Sequence, residues 1–185
     1  ALIVFNYDRC IEHFLFHSLQ TYYGIGKDEA AKLVQGMDIY HPYGKVGCLP
    51  WQSRDDCVEF GAEPNASQLL RLSKGIRTFT EGTDPNSSQI VAIRQRVLDS
   101  KVVVFLGFAF HPLNLNLLTP DNRPDRRPGK RNYFATAKGI SDSDCAVIKR
   151  SLTKLAGAGS GNIYLRNKLM CSKLFHEYRR SLFLI

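Results

Sequence analysis

From Lys101 to Leu106 the chain reads KVVVFL and then stops at Gly107. β-Branched residues favour an extended backbone, and alternate residues of a strand face opposite sides. This run is apolar on both sides, so it needs cover on both, as a strand inside a parallel sheet does. Ala1 to Phe5, ALIVF, is a second run of the same kind. Helical patterns lie between such runs, and strands alternating with helices predict an α/β fold, a parallel sheet with helices on both faces.

The other elements follow from periodicity and punctuation. Cys10 to Tyr22 keeps a helical period through Ile11, Phe14, Leu15, Leu19 and Tyr22, and Gly24 and Gly26 end it. Lys27 to Gln35 reads as a short helix, Asp38 to His41 as a strand, Cys48 to Pro64 as irregular, Ala66 to Ser73 as a helix and Ile76 to Thr80 as a strand. Asp84 and Pro85 suit the cap and first position of a helix reaching Asp99. Tyr133 to Thr136 reads as a strand. Ser141 or Asp142 opens a helix with the stripe Cys145, Ile148, Leu152 and Leu155. AGAGSGN, from Ala156, is a break, and one last helix runs from Leu169 to about Phe183.

A length of 185 residues suits one domain with an appendage. No apolar run is long enough for a membrane span. The five cysteines are odd in number and lack Cys-x-x-Cys spacing, which predicts free thiols, no structural zinc and a cytoplasmic location. Cys10, Cys145 and Cys171 fall on helical stripes as small core residues. The formal charge of +8 suits an anionic partner. The basic residues concentrate in TPDNRPDRRPGKR, a surface loop by its Pro and Gly content. Arg123, Arg126, Arg127, Lys130 and Arg131 would be the contacts if that partner were nucleic acid.

In parallel sheets, ligands gather beyond the carboxyl ends of the strands. Asn6 and Asp8 follow the first strand, His41 follows the second, and Gly107 and Phe108 follow KVVVFL. Each has a plainer reading. Asn6 and Asp8 suit the cap of the next helix, and the two aromatics Phe108 and Phe110 suit a core. His13 and His17 are four apart on one helix but lack an obvious third metal ligand. Trp51 either covers a pocket or packs.

VFNYDR ahead of an amphipathic helix, HPYG about 35 positions later, VFLGF, PLNLNLL and FATAKGISDSD resemble, in that order, sirtuin-like domains of the bacterial anti-phage-defence type. The resemblance covers about two-thirds of the chain, to about residue 145. It implies a Rossmann-like NAD-binding domain, here its C-terminal portion: residues 1–155, with the N-terminal part missing and 156–185 as a helical extension packed on the same domain. It implies an NAD+ glycohydrolase releasing ADP-ribose and nicotinamide, or a degenerate module that binds a nucleotide or partner without turnover. Asn6 would meet the nicotinamide ribose and position a water, Asp8 would hold the nicotinamide end, and His41 would act as base. Gly107 and Phe108 would meet the adenosine ribose. A homo-oligomer or a defence partner protein is also implied, and no metal.

The chain departs from that pattern in three ways. The family's His directly precedes the Gly, whereas here Tyr43 does and His41 stands two residues earlier. Residues two apart share a face in an extended stretch, so His41 remains the candidate base, with Tyr43 as the substitute. The paired cysteines of the deacylating branch are absent, and so is a glycine-rich phosphate turn.

Overall fold

The computed structural model describes residues 1–53, 57–77, 84, 86–119, 131–157 and 161–183. The chain is α/β and divides into two compact units, Ala1–Gln89 and Ile90–Ile185, each with its own small parallel sheet.

In the first unit β1 (Leu2–Ile3) pairs in parallel with β2 (Ile39–Tyr40), Leu2 opposite Ile39 and Ile3 opposite Tyr40. Between them run α1 (Cys10–Tyr23) and α2 (Lys27–Gln35). Gly24 closes α1 in the left-handed region, its N–H bonded to the Gln20 carbonyl. Phe16, Ala30 and Val34 form the core beneath Leu15, Leu19, Ile39 and Trp51. Trp51 packs, its ring lying flat on Phe16 at 4.5 Å. The stripe expected on α1 is corrected: Phe14 and Tyr22 are exposed, and the buried positions are Glu12 and Phe16. After β2 comes α3 (Ala66–Ser73), whose cap Asn65 accepts from the Gln68 N–H while Gln68 reaches back to the Asn65 N–H. Of the strand expected over 76–80, Ile76 makes a single antiparallel bridge to Gly44, and residues 78–80 lie outside the described ones.

The helix α4 (Ser88–Asp99) starts later than its Asp-Pro signal suggests. Asp84 instead receives the Asn86 N–H in a turn just ahead. In the second unit β3 (Val102–Phe105), β4 (Asn132–Thr136) and β5 (Ile163–Arg166) lie side by side in parallel, with β4 central. The helix α5 (Pro112–Leu118) follows β3, and α6 (Asp142–Ala156) follows β4. Ser141 caps α6 by accepting from the Asp144 N–H. One helix was not anticipated here and two expectations are corrected. PLNLNLL is a helix that periodicity did not single out. The segment expected as a helical extension contributes β5 to the sheet. The last helix is two, α7 (Cys171–Glu177) and α8 (Arg179–Phe183), broken at Tyr178. Phe134, Leu174 and Tyr178 make the core of this side, with Tyr164 stacked on Phe134 at 4.9 Å. Cys10 and Cys171 are exposed rather than core, because each opens a helix where a strand-end loop enters it; Cys145 is half-buried.

Candidate functional site

The parallel pairing of β1 and β2 sends both carboxyl ends to the same edge. Asn6 and Asp8 leave from one strand, His41 and Tyr43 from its neighbour, and His41 Nδ1 lies 3.3 Å from the Asn6 carbonyl oxygen. The Val46 N–H donates to the Tyr7 carbonyl at 2.9 Å, closing the two segments together. Gly44 has φ +81°, and a Cβ there would stand 1.8 Å from the Gly75 carbonyl oxygen. Only glycine allows that approach.

Asn6 is exposed on this rim. Asp8 Oδ1 accepts the Cys10 N–H at 3.0 Å, so Asp8 steadies the start of α1. That backbone bond, outweighing burial and aided by the Cys10 and Asn6 side chains, holds the Asp8 carboxyl below its usual range. The plainer capping role is therefore present at Asp8. Tyr43 is buried, edge-on to Phe5 at 5.9 Å, and burial pushes its phenol up.

His41 is 6% exposed, and its Nε2 lies 3.0 Å from Glu12 Oε1. Glu12 is 2% exposed and also takes Lys45 Nζ at 3.2 Å on the same oxygen. Burial pushes the Glu12 carboxyl up, but the His41 hydrogen bond, with the charges of His41 and Lys45, holds it at about 2. Arg9, also buried, donates to the carbonyls of Cys48 at 2.8 Å and Val58 at 2.6 Å. Sequence reading passed over Arg9 and Glu12. A charge at the start of an amphipathic helix ordinarily faces water, and the only signal against it was that their helix begins at a candidate ligand edge.

A second edge lies in the other unit, at the carboxyl ends of β3 and β4. Gly107 (φ 59°) donates its N–H to Thr136 Oγ1 at 3.1 Å. Gly107, Phe108, Thr136, Lys138, Met170 and Cys171 line a cavity of about 480 Å³. Phe108 also packs against Phe105 and Phe110 at 5.2 and 5.3 Å, so it serves the core as well as the cavity. The six candidate residues thus form two sets, Asn6, Asp8, His41 and Tyr43 in the first unit and Gly107 and Phe108 in the second.

A further cavity of about 610 Å³ in the first unit is lined by His13, Phe16, His17, Trp51, Glu59 and Phe60. His13 stacks on Phe60 at 4.0 Å. Burial, with the charges of His17 and Arg9, pushes His13 down. Among the described residues no group of three or more potential ligands could hold a metal ion. Arg123, Arg126, Arg127 and Lys130 lie outside the described residues, and Arg131 is buried, which removes it from an exposed phosphate-binding surface. Among the described residues no helix is long and apolar enough to cross a membrane. No protein-family model, no curated protein and no solved structure matches this chain.

Proposed function

We propose that this chain is the NAD-handling part of a sirtuin-like, Rossmann-type domain, and that it cleaves NAD+ to ADP-ribose and nicotinamide in bacterial anti-phage defence. The observation that carries the reading is the meeting of Asn6 and Asp8 with His41 and Tyr43 at one edge of a parallel strand pair. The oxidised nicotinamide ring is cationic. When its bond to the ribose breaks, the electron pair stays on the ring nitrogen and neutralises it. A water oxygen bonds to the ribose carbon and releases one proton to the surrounding solvent, so the products are ADP-ribose, neutral nicotinamide and a proton. The protein has to orient sugar and water, which the exposed Asn6 amide suits.

One observation favours a second reading, binding without turnover: His41 is buried between the Glu12 carboxylate and the Asn6 carbonyl rather than open to a substrate. Titration calorimetry with NAD+ and a nicotinamide-release assay on the full chain separate the two. Hydrolysis predicts release that Asn6→Ala lowers on the order of a hundredfold through lost orientation. NAD+ binding with no release establishes the second reading. Absence of both defeats the nucleotide assignment, as does an Asn6→Ala variant with wild-type turnover.

A further inference from the structure

Glu12 has no place in the chemistry above, yet it is the most completely buried charge on the rim. A carboxylate taken out of water is tolerated only with partners. Its partners are His41 and Lys45, both on Oε1, while Oε2 is buried without a hydrogen bond. His41 is held from its other side too, by the Asn6 carbonyl at 3.3 Å. Both ring nitrogens are thus engaged within the protein, Nε2 with the Glu12 carboxylate and Nδ1 with the Asn6 carbonyl, which leaves neither turned to a substrate hydroxyl. The bonds from Gly44 N–H to the His41 carbonyl and from Val46 N–H to the Tyr7 carbonyl, each 2.9 Å, continue the same network along the backbone.

We propose that Glu12 is the positioning residue of this rim: through His41 and Lys45 it locks the Asn6–Asp8 segment against the His41–Val46 segment, and His41 belongs to that lock rather than to proton transfer. The consequence for ligand affinity rests on reading the rim as a nucleotide site; the lock itself does not.

Amide hydrogen exchange on the full chain, read by NMR with histidine ring nitrogens labelled, tests the lock. In the wild type the His41 ring N–H proton facing Glu12 is protected. Glu12→Gln removes the charge and is expected to speed exchange at Gly44 and Val46 on the order of tenfold, the size of a weakened buried hydrogen bond. Ala30 and Gly36, whose N–H groups close bonds at the two ends of α2, keep wild-type rates. His41→Ala gives the same local loss, and His41→Gln, whose amide can still donate to Glu12, recovers most of it. The proposal is overturned if His41→Gln is no better than His41→Ala. It is equally overturned if Glu12→Gln leaves the His41 ring proton unchanged, or if exchange rises equally at Ala30 and Gly36. In parallel, Glu12→Gln is expected to weaken NAD+ binding by a similar factor. A wild-type chain that binds no NAD+ removes the nucleotide reading and leaves the exchange rates to decide the lock.

Discussion

Glu12 and Arg9 are three residues apart, and both are buried charges with different means of compensation. Glu12 depends on charge. Its folded-state value of about 2 lies below the ordinary 4.5, so it contributes stability fully above about pH 4.5 and loses that contribution as pH falls toward 2. Asp8 is shifted in the same direction. In urea melts, the gap between wild type and Glu12→Gln should be widest above pH 4.5 and close as pH approaches 2. A gap that does not vary with pH would show that the carboxylate is not the stabilised form. Arg9 depends on geometry, one guanidinium nitrogen, Nη1, donating to two carbonyls of the irregular stretch after β2, those of Cys48 and Val58. Arg9→Met strands both oxygens, and the expected loss is about 2 kcal/mol or more, measured as a lower denaturant midpoint. Neither role was legible from the residues alone. FNYDR pointed to an edge, but whether a helix turns its acid inward depends on a histidine and a lysine that come 29 and 33 residues later.

At the scale of elements, composition was a good guide where the apolar period and the punctuation agreed. Both short strands of the first unit form where their runs stand, though shorter and with Leu2 exposed, and both helices between them and the capped α6 lie where their residues suggested. It failed where one signal masked another. IYLR is only four residues long and follows a glycine-rich stretch, so it carries too little alternation to stand out, and its place beside β4 comes from tertiary pairing. Tyr178 ends α7 because the side chain is committed to Phe134 and, through its hydroxyl, to Arg166 Nε at 2.6 Å. Two helix-and-turn glycines separate local strain from crowding. Gly24 (φ +66°) has open space where a Cβ would go, whereas the Cβ at Gly44 meets backbone. Gly24→Ala should therefore cost about 1 kcal/mol, the left-handed penalty alone. Gly44→Ala should cost well above that, at least about 2 kcal/mol. Equal melting temperatures for the two variants would contradict the close approach to Gly75.

At the scale of the molecule, alternation of strand and helix was legible and the division at Gln89 was not. That boundary falls inside α4, with no low-complexity stretch to mark it, and both sides use the same strand-then-helix order. The second unit draws its last strand and two covering helices from the final 25 residues. A chain ending at Gly157 would leave β4 with an open edge and remove Tyr164, Leu174 and Tyr178 from Phe134. Such a chain should lose the cooperative thermal transition of its second unit by circular dichroism and associate through the bared strand. Retention of a sharp transition would mean that β5 is dispensable.

The chain has a single tryptophan, and it lies flat on Phe16 in the first unit. Indole emission is consequently a private gauge of that half, blind to melting of the other. Set beside far-ultraviolet circular dichroism, to which the helices of both halves contribute, it becomes a measure of whether the halves melt together or in turn.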